Sequence, residues 1–247
     1  MPMPHDAPLY PELPRYYRDV ELVSVVCETD EANIARILPP PLRTLGHERS
    51  LFEVKLSHYA ETVFGSFNEA SVLVPARFED VHGYTFVYIY IDNGPGLAGG
   101  RELMGFPKKD GTVDFRHDGD RFDVEVTRLG KTLIRMHCDL GRPKEVKRAV
   151  GTRLQVRDIP RPDGPGLELR QVIRKDFNPS FFTVHESRSG EATLELHGTP
   201  EDPLDKLGAF TVLGGHYQRA DFSLEYGKVL YTEAYPREGV RSTLVPA

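Results

Sequence analysis

The sequence predicts a mostly β protein, in which a curved antiparallel sheet, cone-like or barrel-like, encloses a buried cavity and carries one to three short helices. Three observations predict this class. Segments rich in β-branched and aromatic residues recur along the chain, turn signals separate them at short intervals, and helical periodicity is confined to short stretches. A closed or strongly curved sheet of this kind can surround a site for a small ligand.

The first elements are a strand over 20–27 and a helix. Thr29 and Asp30 offer an N-cap, apolar residues follow at helical spacing between 34 and 38, and prolines from position 39 end the helix. Strands are then predicted over 51–59, 70–78 and 84–91. The last is apolar or aromatic on both faces, which is typical of a central strand buried on both sides.

Turn signals organise the rest of the chain. Asp118 and Gly119 predict a hairpin between strands over 113–116 and 121–128, and Gly130 predicts a turn into a strand over 132–140. A short helix is predicted over 143–150. Ser189 and Gly190 are interpreted as another hairpin turn, and the glycines between 94 and 100 as turn residues. Further strands are predicted over 167–173, 182–186 and 193–197, and twice between 210 and 232.

The domain organisation follows from the prolines. Five prolines within residues 1–15 prevent regular structure and predict an extended arm, which either packs on a neighbouring subunit or stays loose. Residues 161–166 are rich in proline and glycine, but strand patterns resume on both sides, so we interpret them as a loop. We therefore predict an arm over 1–15 and a single domain over 16–247 of the 247 residues.

Composition and charge exclude several classes of protein. The hydrophobic fraction of 39% and the charged fraction of 28% are ordinary for a globular protein. A net charge of −6 argues against nucleic acid and anionic membranes as partners. No apolar run approaches the ~18 residues of a membrane span, and no secretory signal is visible, so a cytoplasmic protein is expected.

Cysteine and metal signals are weak. Cys27 and Cys138 have neither CxxC nor zinc spacing and lie in apolar segments, which predicts small core residues in a reducing compartment. No set of His, Asp and Glu has metal-binding spacing, and the glycines lack the strand–GxGxxG–helix context of a nucleotide site. We expect no metal and no cofactor.

Two adjacent lysines, Lys108 and Lys109, are the strongest functional signal. Most such pairs are exposed surface charge, but this pair follows Phe106, a proline and two glycines rather than polar residues. A neutral lysine amine is a nucleophile toward ketones, and either an apolar pocket or a neighbouring charge lowers the pKa of a lysine. On a strand the two side chains would point to opposite faces and burial would be the larger cause, whereas a kink at Pro107 would bring the charges together.

This segment is similar to the acetoacetate decarboxylase family. The resemblance rests on Gly-Arg-Glu-Leu at 100–103 and Phe-Pro-Lys-Lys at 106–109, with Asp92-Asn93 and Phe52-Glu53 in support. With weaker similarities at 183–186, 216 and 220–221, it extends from about residue 20 to about residue 231. It implies a curved sheet around a buried site, a homo-oligomer, and cofactor-free decarboxylation of a small keto acid, by default acetoacetate, through a lysine Schiff base.

Carried over to this chain, the resemblance implies a role for each matching residue. Lys108 would form the Schiff base, and Lys109 would be its basic neighbour. Glu69 matches the active-site glutamate at gap-free spacing and would orient the substrate carboxylate or move a proton. Glu53 matches a second pocket glutamate if one residue is inserted before Glu69.

Three further residues are expected to bind substrate. Phe106 and Met104 would supply the apolar wall. The first-strand arginine of the family aligns near Val20, where this chain has no arginine, and Arg18 is the nearest candidate. Its offset of two positions keeps the same strand face but puts recognition of the substrate carboxylate in doubt.

Each candidate also has a structural interpretation. Glu69 alone is more often a solvated loop carboxylate, Glu53 a strand-edge charge and Arg18 a surface residue, while His185 and His216 are interpreted as hydrogen-bonded structural histidines.

Two other functions fit the same residues. Members of this fold family also catalyse aldol addition or dehydration on larger keto acids with the same lysine, and the unmatched arginine favours this alternative. A non-enzymatic protein that binds a small carbonyl or apolar ligand would keep the cavity and need no neutral lysine.

Overall fold

The computed structural model describes residues 3–148 and 151–235. It contains thirteen strands: β1 Arg15–Asp30, β2 Arg49–Tyr59, β3 Phe67–Phe78, β4 Val81–Ile91, β5 Lys108–Asp110, β6 Thr112–Asp118, β7 Arg121–Arg128, β8 Lys131–Pro143, β9 Arg153–Pro160, β10 Leu167–Lys175, β11 Thr183–Leu196, β12 Phe210–Leu224 and β13 Lys228–Ala234. Its helices are α1 Glu31–Ala35 and α2 Gly94–Met104, with 3₁₀ turns at Pro179–Phe181 and Leu204–Leu207.

The strands form one sheet, in the order β13-β10-β9-β4-β3-β2-β1-β12-β11-β8-β7-β6, with β5 paired to β4 beside this path. The described strands pair antiparallel, except that β5 and, at a single position, β9 run parallel to β4. The prediction of a mostly β protein with a curved sheet and short helices is confirmed.

The sheet has a core face and a cavity face, which β2 illustrates. Phe52, Val54 and Leu56 are almost fully buried in the main hydrophobic core. Glu53 and Lys55 alternate with them and therefore point to the opposite face. The core face is covered by apolar residues of β6, β7 and β8. The opposite face of the sheet lines a cavity.

The hairpin predictions in the middle of the chain are confirmed. Gly119 has a φ of 56° in the turn between β6 and β7, and Leu129 and Gly130 have φ values of 50° and 72° between β7 and β8. Two successive residues with positive φ are typical of the tight turns that match strand twist. Residues 161–166 form the predicted loop between β9 and β10.

Three local predictions are wrong. Residues 144–148 contain no helix, and residues 149 and 150 lie outside the described residues; so short a helix is marginal without packing. The supposed turn at Ser189 and Gly190 is part of β11, which there changes partner from β12 to β8. The glycines between 94 and 100 form α2, not a turn, because Pro95 stands in its first turn and the Asn93 side chain caps the Gly96 N–H at 2.8 Å.

The proline-rich arm packs on its own chain where it approaches β1. Tyr10 and Leu13 are buried, and the Tyr10 hydroxyl donates a hydrogen bond to the Glu102 carboxylate on α2. Leu13 packs with Met104 of the same helix. The arm thus braces α2 from outside.

Two further expectations concern the cysteines and membrane-spanning segments. Cys27 and Cys138 are buried free thiols, as predicted for core residues, and burial raises the pKa of Cys27 to about 12. Within the described ranges, no helix combines the length and apolar character needed to cross a bilayer.

We predict that Gly190→Ala destabilises the fold. A Cβ at this position would lie 2.2 Å from the Asp139 carbonyl oxygen, so the backbone of β8 or β11 would have to move. We expect a loss of about 1–3 kcal/mol in the free energy of unfolding, the usual cost of overpacking. Urea denaturation measures it. Gly164→Ala, in a loop with open space around the new methyl group, is the control. Equal stability of the two variants would contradict the prediction.

Candidate active site

A cavity of about 350 Å³ lies on the face of β1, β2 and β3 opposite the main core. Residues of α2, β4, β5, β9, β10 and β12 and of the segment around the 3₁₀ turn Pro179–Phe181 also line it. Of the predicted site residues, Lys108, Glu69 and Phe106 line this cavity.

The end of α2 delivers Lys108 to the cavity. Gly105 ends the helix in the left-handed conformation, with a φ of 70°, and its N–H bonds back to the Arg101 carbonyl. Arg101 in turn donates from Nη1 to the Lys108 carbonyl oxygen at 3.0 Å. The chain then pairs with Ile89 of β4, which orients the Lys108 side chain toward the cavity.

Gly100 on α2 makes room for that side chain. A Cβ at Gly100 would lie 2.6 Å from Lys108 Cε, closer than real atoms approach. The carbonyl of Gly96 accepts a hydrogen bond from Lys108 Nζ at 3.1 Å. Helix propensity alone would disfavour so many glycines. The close approach of Lys108 accounts for Gly100, and Gly99 lies against Tyr10 and Arg15.

Lys108 and Glu69 form a shielded ion pair. Lys108 Nζ lies 2.6 Å from Glu69 Oε2, and the two side chains are 9% and 12% exposed. Glu69 comes from β3, on the same face of the sheet. The carboxylate is therefore placed to exchange a proton with the amine.

Aromatic rings surround the pair. The Phe106 ring centroid lies 5.8 Å from Lys108 Nζ and packs edge-on against Phe86. Tyr59 stacks on Phe67 on the other side. Burial, reinforced by the nearby Glu69 charge, raises the pKa of Tyr59 well above its ordinary value, so that its hydroxyl stays protonated.

Lys109 points to the opposite face of β5. It pairs with Tyr90, a core residue, and its Nζ lies 2.8 Å from Asp202 Oδ1. Arg128 binds the same carboxylate at 2.8 Å. The predicted strand alternation is present, and the Lys109 charge is compensated by a carboxylate outside the cavity.

Glu53 is 1% exposed and is not one of the residues that line the cavity. Arg148 Nη2 approaches its Oε1 at 3.5 Å. Burial favours the neutral acid, but Arg148, and after it Lys55, outweigh that effect and lower the pKa of Glu53. Glu53 is thus a buried counter-ion beneath the cavity.

The structure does not place Arg18 or Met104 at the cavity. Arg18 has an 83% exposed side chain and faces Asp221 at 3.7 Å. A bulge at Asp19, whose φ is 53°, breaks the strand register and turns Arg18 outward. The first-strand arginine that lines the cavity is Arg15. Met104 is 3% exposed and packs behind α2.

The two histidines singled out in the sequence have structural partners. His185 pairs with Asp221 at 2.9 Å, away from the cavity. His216 is buried and bonds Ser189 Oγ through Nδ1 at 2.9 Å. No group of three His, Cys, Asp or Glu side chains suited to a metal ion occurs in the described part of the chain.

The sequence interpretation missed several cations of the cavity wall. These are Arg15, Lys55, Arg148, Arg153 and Lys175. A signal existed for one of them, since Lys55 alternates with buried apolar residues on β2 and so had to share the face of Glu53. Arg15 begins β1, and the remaining three come from β9, β10 and the segment before residue 149; no local pattern connects these four residues with Lys108.

Comparison with known proteins identifies the family and supports the fold. A sequence model of the acetoacetate decarboxylase (ADC) family matches residues 1–234. Acetoacetate decarboxylases of Burkholderia cenocepacia and Burkholderia multivorans are 28% and 27% identical over 237 residues, covering 93% of each chain.

Solved structures share the fold. An acetoacetate decarboxylase from Legionella pneumophila superposes with a TM-score of 0.82 at 24% identity, covering 94% of this chain and 93% of that one. The enduracididine biosynthesis enzyme MppR, complexed with the condensation product of pyruvate and imidazole 4-carboxaldehyde, superposes with a TM-score of 0.77 at 17% identity, covering 93% and 95%.

We predict that His216 makes the fold sensitive to acid. Burial, reinforced by Arg148, lowers its pKa from 6.5 to about 4. Between these two pH values the unfolded chain therefore binds more protons than the folded chain does. The contribution of His216 to the free energy of unfolding is complete above pH 6.5, and on the order of 3 kcal/mol of it is lost as the pH falls to about 4. His216→Gln should flatten the dependence of the unfolding free energy on pH in this range. The same substitution at exposed His47 is the control, and an unchanged slope in His216→Gln would refute the prediction.

Proposed function

Because the chain belongs to the acetoacetate decarboxylase family, we propose that it is an enzyme that decarboxylates a β-keto acid through a Schiff base on Lys108, with acetoacetate as the default substrate. One observation carries this proposal. The Lys108 amine, shielded from solvent and walled by Phe106, lies 2.6 Å from the carboxylate of Glu69.

The reaction begins when the Lys108 ammonium transfers a proton to the Glu69 carboxylate, and the resulting neutral amine attacks the ketone carbon. Loss of water then gives an iminium, whose positive nitrogen accepts the electron pair of the breaking carbon–carbon bond. Carbon dioxide leaves, the resulting enamine is protonated on carbon, and water hydrolyses the iminium to release the ketone and the free amine. These steps need only the amine, a proton carrier and water, so the proposal includes no cofactor.

Lys109 contributes by position in this proposal. Its bond to Asp202 on the far side of β5 anchors the strand that carries Lys108. Asp202 also accepts hydrogen bonds from Arg128 and Tyr90, so the anchor is tied to the main core. Arg15, rather than Arg18, is the first-strand arginine available to the substrate.

An aldolase or dehydratase acting on a larger keto acid, through the same lysine, is the second candidate. The cavity of about 350 Å³ favours it, because that volume lies within the range of ~300–1,000 Å³ that accommodates drug-sized ligands. A passive binding protein has less support, since a shielded ammonium–carboxylate pair brings a desolvation cost and adds nothing to the binding of an apolar ligand. A cytoplasmic homo-oligomer remains our expectation.

We predict that borohydride, added during turnover of acetoacetate, attaches an isopropyl group to the peptide containing Lys108. Peptide mass spectrometry must separate this product from labelling of Lys55, another lysine of the cavity wall, whose pKa is lowered by burial to about 8. Lys109→Met should retain the label because its ammonium lies on the opposite face. Labelling of Lys55 or Lys109 in place of Lys108 would falsify the assignment.

We predict that Glu69→Gln lowers kcat by about two orders of magnitude, the usual scale for a positioned acid–base group. The amide oxygen can still accept a hydrogen bond from Lys108, so the variant should fold. Steady-state carbon dioxide release and the melting temperature measure the two effects. Glu61→Gln, at an exposed position, is the control. Unimpaired carbon dioxide release by Glu69→Gln would show that Glu69 has only a structural role.

If the parent protein does not decarboxylate acetoacetate but consumes pyruvate together with an aldehyde, the aldolase candidate replaces the decarboxylase.

A further inference from the structure

Beyond Lys108 and Glu69, the cavity contains an unbalanced group of charges. Lys55, Arg148 and Arg153 all line it, and Glu53 lies beneath them. Arg148 is the cation that approaches Glu53, at 3.5 Å, and it also donates to the Gln218 side chain at 2.7 Å. Three cations thus share one buried carboxylate. Asp176, which also lines the cavity, is paired with Arg174 at 2.8 Å, so an excess of positive charge remains in the cavity wall.

Arg153 is the most buried of the three, with 8% of its surface exposed. It donates from Nη1 to the Gly151 carbonyl at 2.7 Å and lies against the rings of Phe86 and Phe177. It forms no ion pair with any carboxylate of the described residues. A guanidinium carries five N–H donors, so most of its capacity to bind an anion is unused.

Lys55 is half-buried at the cavity surface, and its Nζ lies 5.8 Å from the Phe86 ring centroid. Its ammonium has no hydrogen bond or ion pair with another described residue. Burial, followed by the charge of Arg153, lowers the pKa of Lys55 to about 8. Both effects penalise the charged form, and a bound anion would relieve both.

The register of the sheet places Lys55 within reach of a substrate on Lys108. Lys55 pairs with Ser71, Ser71 with Ile89, and Ile89 with Lys108, so the two lysines share one row and one face of the sheet. Neighbouring strands are about 4.8 Å apart, which separates the two backbones by roughly 14 Å. Both side chains line the same cavity of about 350 Å³, so one ligand with two polar ends can contact both amines.

We propose that the substrate is a β-keto acid with a second carboxylate, which binds Lys55 and Arg153 while the ketone reacts with Lys108. This inference rests on the proposed function, since it takes Lys108 as the residue that holds the ketone. The rings of Phe86 and Phe106, which pack edge-on at 5.6 Å, form the apolar wall between the two ends of the cavity. Acetoacetate has no group to place at Lys55 and Arg153, and a short-chain keto diacid does.

A matched pair of substrates tests this. β-Ketoadipate and β-ketohexanoate have the same carbon chain and differ in whether it ends in a carboxylate or a methyl group. We expect kcat/KM for carbon dioxide release to be about ten- to a hundred-fold higher for the diacid, the range expected for charge-assisted hydrogen bonds. Equal values, or a preference for β-ketohexanoate, would overturn the inference and leave the decarboxylase proposal intact.

Variants locate the second carboxylate. Lys55→Met and Arg153→Met should each reduce the preference for β-ketoadipate over β-ketohexanoate to within a few-fold of unity. Lys55→Met removes an unpaired charge and should fold. Lys131→Met, at an exposed position on β8, should keep the parent preference. An undiminished preference in both cavity variants would place the second carboxylate elsewhere and refute the assignment.

A binding measurement separates this inference from the decarboxylase proposal. Adipate and hexanoate cannot react, so isothermal titration with each probes the cavity whatever the chemistry of Lys108. Adipate should bind at least ten-fold more tightly, and Lys55→Met should remove the difference. If adipate binds no better than hexanoate, the inference fails even if β-keto acids are decarboxylated. If adipate is preferred but no β-keto acid is decarboxylated or trapped on Lys108, the diacid site stands and the proposed reaction fails.

Discussion

The close packing of Lys108 against α2 is the constraint on which the site depends. One methyl group at position 100 would collide with the lysine side chain, and the Gly96 carbonyl binds its amine. A helix that must present bare backbone to a side chain has to be rich in glycine, and it therefore needs other means to remain helical. Asn93 caps its first turn, Gly105 ends it with a positive φ, and Tyr10 of the arm bonds to its outer face. The weak intrinsic helix propensity is thus offset by contacts that also fix the position of the lysine.

Strand alternation then separates the two adjacent lysines. Lys108 enters the cavity beside Glu69, and Lys109 enters the core side beside Asp202. A positive charge that is bound to a carboxylate on the far side of a strand has little effect on an amine in the cavity, because the carboxylate largely cancels its field. The environment of Lys108 is therefore set by the rings, the helix carbonyl and Glu69.

The sequence predicted what depends on local pattern and motif. Strand periodicity and turn signals predicted the fold class, and the family resemblance of the segment with Phe-Pro-Lys-Lys predicted Lys108 and Glu69 as site residues. The ion pair between them is seen only in the structure. The glycines of α2 misled the prediction because glycine is common in turns, and the role of Gly100 depends on the side chain of Lys108, eight residues later, that packs on it. Arg18 was predicted because it is the arginine nearest to Val20 in the sequence, and a bulge at Asp19 cannot be seen by counting along a strand. Arg153 could not be found, since its proximity to Lys55 depends on a single bridge between β9 and β4.

The excess of cations in the cavity is a cost to the folded protein. Lys55 and Arg153 lose hydration and repel each other, and Glu53 compensates for only part of that charge. Apolar side chains of similar volume would stabilise such a site more than incompletely paired charges do. Residues that lower stability in a cavity next to a nucleophile are typical of sites that bind something in the working state. The positive sign of this charge then indicates the ligand, because only an anion is attracted to Lys55 and Arg153. An anion whose single carboxylate lies next to the reacting ketone would leave both cations without a partner.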